Sequence, residues 1–246
     1  MNITEHKGDF LTFASIARGT GVPLTNDESI TLALCEIRPG IYRRWVGSPY
    51  KSRSDISRDG YLGVLFSILA GPESDRNRRL DDVIKACIKT RCKVGETGDS
   101  AYTNIWPLFP MYLAARYSKW IPTLPTIAIP PMRTGFRAHL LALFILVEHM
   151  IGKRSYWHRW SMKKIIETDS YDPKYPNRVV NKDNPWFLML YALVHGEKTN
   201  NGLMAKYGAS MIQLQHNRMA DSGWGSCPNE VLKGLAEFTR RLVNEA

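Results

Sequence analysis

Ser57-Arg58-Asp59-Gly60-Tyr61-Leu62-Gly63-Val64-Leu65-Phe66-Ser67-Ile68-Leu69-Ala70-Gly71 is the stretch that decides the fold class. Ser57 or Asp59 can cap a helix here, and Gly71-Pro72 is a strong helix stop. Between them the run is apolar throughout, so the helix it predicts lies inside, screened from water by other helices. Residues 184–196 echo residues 59–71. Each stretch begins with a capping residue, carries an aromatic two positions on (Tyr61, Trp186) and ends at glycine. In the second, Pro185 opens the helix at a position where a missing N–H costs nothing.

Working outward, about ten helical segments can be read from periodicity and punctuation. Thr25 or Asn26 caps a helix ending before Pro39-Gly40, although the alternation of Ile30, Leu32 and Leu34 also allows a strand. Ser74 caps a helix over 75–93, with Leu80, Val83, Ile84, Cys87 and Ile88 on one stripe. A further helix is expected over 102–119, disturbed at its start by Pro107 and Pro110. Residues 135–151 are apolar nearly all round, and Val231, Leu235, Phe238 and Leu242 stripe the last helix. Three irregular stretches interrupt the helices: 38–56, 122–132 with its four prolines, and 169–183. Buried helices alternating with amphipathic ones predict an all-α fold, an α/α toroid-like array with these long loops on one face. An irregular helical bundle is the second architecture. No boundary is marked in the chain, and a single domain over 1–246 is expected.

The 246 residues include 33 Lys and Arg against 23 Asp and Glu, a formal charge of +10. That balance suits a polysaccharide or other polyanion, or an acidic protein surface, and leaves nucleic acid open. Residues 1–9 lack the apolar run of a secretory leader, and no run is long enough to span a bilayer, so a cytoplasmic location is expected. The four cysteines form no CxxC pair and there is no HExxH, so neither a metal nor a cofactor is implied. Cys87 and Cys92, five apart on a predicted helix, should point roughly opposite ways, and all four thiols should pack as small apolar groups.

The segment 42–59 is densest in the residue types that do chemistry: Tyr42, Arg44, Trp45, Tyr50, Asp55, Arg58 and Asp59. Asp59 falls at the start of a buried helix, where the helix dipole favours a carboxylate, and Asp55 lies four residues before it. Two carboxylates flanking a bond are what glycoside hydrolysis needs, with Tyr and Trp rings to stack on sugars. A helix-capping role alone explains the same residues. Arg137 and Glu148, three turns apart on the central helix, either flank a cavity or mark the solvated ends of that helix.

Ser57-Arg58-Asp59-Gly60-Tyr61 before an apolar helix resembles the helix starts of α/α-toroid carbohydrate-active proteins. It also resembles those of uncharacterised bacteriophage-encoded proteins in which an Arg-rich aromatic loop precedes a similar Ser-Arg-Asp. Asp172-Pro173-Lys174-Tyr175-Pro176-Asn177, ahead of Asn184-Pro185-Trp186-Phe187, is similar in kind. The resemblance implies a glycan-active or glycan-binding toroid, with a virion as the alternative location. Asp172 would serve as an alternative second carboxylate, with Tyr175, Asn184, Trp186 and Trp224 as substrate-binding residues. Two further readings stand beside it. One is a non-enzymatic binding or structural protein with protein partners in an assembly. The other is a nucleic-acid binder, which needs Arg43, Arg44, Arg53, Arg76, Arg78 and Arg79 on one face.

Overall fold

The computed structural model describes residues 3–5, 8–46, 56–94, 103–117, 135–167, 170–172, 175–179, 181–197, 201–216 and 227–246. These hold ten α-helices and three short antiparallel strand pairs, so the fold is all-α. The chain groups into two compact units. The first is 1–126 with 150–152, and the second is 127–149 with 153–246. No helix among the described residues is long and apolar enough to cross a membrane.

The first unit holds α1 (Phe10–Thr20), α2 (Asn26–Leu34), α3 (Arg58–Ala70), α4 (Glu73–Thr90) and α5 (Phe109–Arg116). Helix α3 is buried from Asp59 to Ile68 and packs along α1. Glycine lets the two approach. A Cβ on Gly63 would sit 3.1 Å from the Thr12 carbonyl oxygen, and one on Gly19 would meet the Phe66 ring at 2.7 Å. Tyrosines tie α3 to its surroundings. The Tyr61 hydroxyl donates to the Gly40 carbonyl at 3.1 Å, and the Tyr112 hydroxyl to the Tyr61 carbonyl at 2.7 Å. The run containing Ile30, Leu32 and Leu34 is helical. Thr25 forms a capping box with Glu28, satisfying two orphan donors that a strand would not have offered.

The stretch expected to be irregular from residue 38 begins with a hairpin, β1 (Glu36–Arg38) with β2 (Ile41–Tyr42). Its turn puts Gly40 at φ +75° against α4, where a Cβ would fall 2.3 Å from the Asp82 carbonyl oxygen. Strands β3 (Lys93–Val94) and β4 (Thr103–Asn104) occupy part of what was expected to be helix. The helix then starts late, at Phe109, because the turn at Trp106–Leu108 carries Pro107. The expected divergence of Cys87 and Cys92 is overturned. Helix α4 stops at Thr90, Arg91 and Cys92 take φ +53° and +59°, and the Cys92 N–H returns to the Cys87 carbonyl at 2.7 Å. The chain folds back and brings the Cys92 thiol near that of Cys87, which helps burial raise the Cys87 pKa. All four cysteines are buried and free of disulfides, as small apolar packing groups would be.

The second unit holds α6 (Gly135–Met150), α7 (Tyr156–Glu167), the hairpin β5 (Ser170–Asp172) and β6 (Tyr175–Val179), α8 (Pro185–His195), α9 (Asn201–His216) and α10 (Asn229–Glu245). Helix α8 lies against α7, α9 and α10. The echo between α3 and α8 extends to burial and to capping. Ser57 rather than Asp59 caps α3, accepting from the Gly60 N–H, and Asn184 caps α8, accepting from the N–H groups of Trp186 and Phe187. Their ends differ. Gly71 is extended, whereas Gly196 closes α8 in the left-handed conformation at φ +69°.

Two glycine substitutions probe this geometry with opposite sign. Gly40→Ala combines a positive φ with a backbone clash and should cost about 2–4 kcal/mol. Gly208→Ala, in α9 with nothing within 4 Å of its Cβ, should stabilise by about 0.5–1 kcal/mol. Urea unfolding midpoints at equal m-value measure both.

Candidate functional site

The first candidate is the Asp59 region. Asp59 occupies the second position of α3 and is 5% exposed, turned toward α1, where its Oδ2 lies 3.5 Å from the Thr12 hydroxyl. Tyr42 is also buried. Its ring meets Tyr61 edge-on at 5.6 Å and its N–H donates to the Tyr61 hydroxyl. Burial, reinforced by Glu36, raises the Tyr42 phenol above its ordinary pKa. No face of that ring is left to stack on a sugar. Arg44 donates to the Gly8 carbonyl at 3.3 Å, Trp45 packs edge-on against Phe10 at 4.8 Å, and Arg58 donates to the Asn104 carbonyl at 3.2 Å. Asp55 and Tyr50 lie outside the described residues.

The remaining expected residues belong to the second unit. Trp186 is fully buried beside His139, so it serves the core rather than a ligand surface. Asn184 is spent twice, as the α8 cap and through Nδ2 against His139 Nε2 at 3.2 Å. Asp172 and Tyr175 pair through their backbones at the turn of the β5–β6 hairpin, and their side chains, like all of Trp224, lie outside the description. Among the described residues, no second carboxylate contacts Asp59.

The arginines proposed for a nucleic-acid face are mostly engaged internally. Arg43 donates to the Leu34 carbonyl and Arg76 to those of Leu69 and Gly71. Arg78 bridges Asp75 and Asp82, and the Arg79 charge lies near the Tyr42 phenol and partly counters the rise in its pKa. Arg53 lies outside the described residues.

A different constellation forms where α6 ends and α7 begins. Glu148, expected either beside a cavity or at a solvated helix end, is buried at 4% exposure. Its Oε2 lies 2.5 Å from Nε2 of His158, itself 2% exposed. The loop between α6 and α7 brings them together, with Gly152 at φ +82° and the Ser155 side chain accepting the His158 N–H at 3.4 Å. Beside this pair opens a pocket of about 240 Å³. His149, Arg154, Ser155, His158 and Arg159 supply its polar wall, and Tyr156, Leu193 and Val194 its apolar one. Among the described residues, no Asp or Glu lines it. Arg154 makes no hydrogen bond or ion pair among the described residues. Arg159 uses Nε on the Val194 carbonyl at 3.2 Å, and its terminal nitrogens have no partner among those residues.

His149 titrates low, with a pKa of about 4, chiefly because it is buried and further because Arg154 and His158 stand near. Sequence reading singled out Glu148 but not His158, ten residues on. Their meeting depends on the turn at Gly152, and the basic run 153–159 around His158 was the available signal. No known protein family, curated protein or solved structure matches the chain.

Two outcomes follow from the Glu148–His158 contact and from His149. Glu148→Ala leaves a buried imidazole without its acceptor and should cost about 2–3 kcal/mol. Glu148→Gln retains an accepting oxygen and should cost less, as urea unfolding would show. For His149 the folded value lies below the ordinary 6.5, so the unfolded chain binds the extra proton. Its contribution is complete above pH 6.5 and is lost progressively as pH falls toward 4. His149→Gln should flatten the stability-versus-pH slope in that window.

Proposed function

We propose that this chain is a non-enzymatic binding protein for an anionic polymer. The observation carrying this reading is the contrast among its arginines. Arg43, Arg76 and Arg78 are spent on carbonyls and carboxylates of the protein, while Arg154 and the terminal nitrogens of Arg159, unpartnered among the described residues, face a pocket with no acidic residue among those lining it. A guanidinium left unpaired at a surface is a ready partner for a carboxylate, sulfate or phosphate. The overall charge of +10 draws such a ligand in from a distance.

Glycoside hydrolysis is the less favoured reading. The residue on which it leaned, Asp59, is buried against Thr12 rather than presented beside a second acid. The toroid resemblance continues to favour a glycan as the polymer.

Fluorescence anisotropy with a labelled heparin-type sulfated oligosaccharide tests the reading. Binding should weaken about tenfold or more between roughly 50 and 200 mM salt, as displaced counterions require. Absence of binding at the lower salt would reject it. Cleavage of a polysaccharide that disappears in Asp59→Asn would replace it with the hydrolase.

A further inference from the structure

We propose that the pocket between the end of α6 and the start of α7 is a discrete site for a phosphate monoester. This deepens the anion-binding reading and rests on it. Four basic side chains, His149, Arg154, His158 and Arg159, wall the pocket, and among the described residues no carboxylate does. Glu148 stands behind His158 and is engaged with it, so it orients the imidazole instead of meeting the ligand. A tetrahedral oxyanion matches this set. The Arg154 guanidinium and the terminal nitrogens of Arg159 can each donate two parallel bonds to phosphate oxygens. The Ser155 hydroxyl, whose oxygen accepts from the His158 N–H, still has a proton to give.

Size and apolar lining argue for an ester rather than the bare ion. At roughly 30 Å³ per water, a volume of about 240 Å³ holds about eight waters, more than one phosphate displaces. The surplus is bounded by Leu193, Val194 and the exposed ring of Tyr156, a surface for the carbon side of an ester. Burial is the main reason His149 titrates low, and the part that nearby Arg154 adds would be offset by a bound dianion. That imidazole therefore reports occupancy.

The experiment is an NMR titration of the full chain with phenyl phosphate, and separately with inorganic phosphate, at constant ionic strength. Saturable shifts of the His149 and His158 ring signals are expected, with the His149 titration midpoint moving upward. In Arg154→Gln the phenyl phosphate dissociation constant should rise at least fivefold. Because Arg154 makes no hydrogen bond or ion pair among the described residues, that variant should keep the wild-type amide spectrum elsewhere. Tighter binding of phenyl phosphate than of inorganic phosphate supports the ester, whereas the reverse order overturns it in favour of the free ion. Linear, unsaturable shifts, or equal affinity in Arg154→Gln, overturn the site altogether. In that case retained binding of the sulfated oligosaccharide would show that the broader reading survives without this pocket. Loss of oligosaccharide binding with phosphate binding intact would show the reverse.

Discussion

Helix α3 has no solvated face, and the first unit is arranged to cover it. Apolar side chains around its whole circumference lose their favourable burial wherever a neighbour is missing. Helix α1 therefore lies close enough for Gly63 and Gly19 to be needed, and the chain ahead of α3 supplies Tyr42 and Ile56 as further cover. Burial creates a second demand, since polar groups taken inside must find partners. The hydroxyls of Tyr61 and Tyr112 meet it by donating to backbone carbonyls that the hairpin turn and α3 itself present. Asp59 meets it by turning to Thr12. A residue type associated with catalysis is here absorbed by packing.

The second unit handles the same demand differently. At its centre α8 is also buried, but the polar groups taken inside are imidazoles and their acceptors: His139 with Asn184, and His158 with Glu148. The first pair is sealed in the core, with Trp186 and Phe187 against the His139 ring. The second lies at the floor of a pocket whose rim is cationic. Both pairs are buried, but the first is enclosed by aromatic rings while the His158 of the second borders a pocket.

The helical class was legible because it rests on local signals. Apolar runs bounded by Ser57 and Gly71, or by Asn184 and Gly196, carry their own caps and stops, and those signals act within one or two turns. What the sequence could not convey was where separate elements meet. Cys87 and Cys92 illustrate this, because reading both as helical sends them apart, while two left-handed residues after Thr90 bring the thiols together. The role of Asp59 was left open for the complementary reason. An acid at a helix start has the same local pattern whether it faces a cavity or a neighbouring helix, and only the packing of α1 decides. Glu148 and His158 are separated by a turn whose direction depends on the left-handed Gly152, so their contact is a tertiary fact.

Helix α2 stands at the other extreme from α3. Most of its surface is exposed, including Ile30 and Leu34, and only Glu28 is buried, reaching the N–H groups of Ile3 and Thr25. A helix held by one buried carboxylate near its start and by Arg43 on the Leu34 carbonyl at its end can open with little loss of apolar burial. Its amides then exchange through small local excursions, while those of α3 exchange only when the whole unit unfolds. Protease sensitivity in the native state should follow the same gradient.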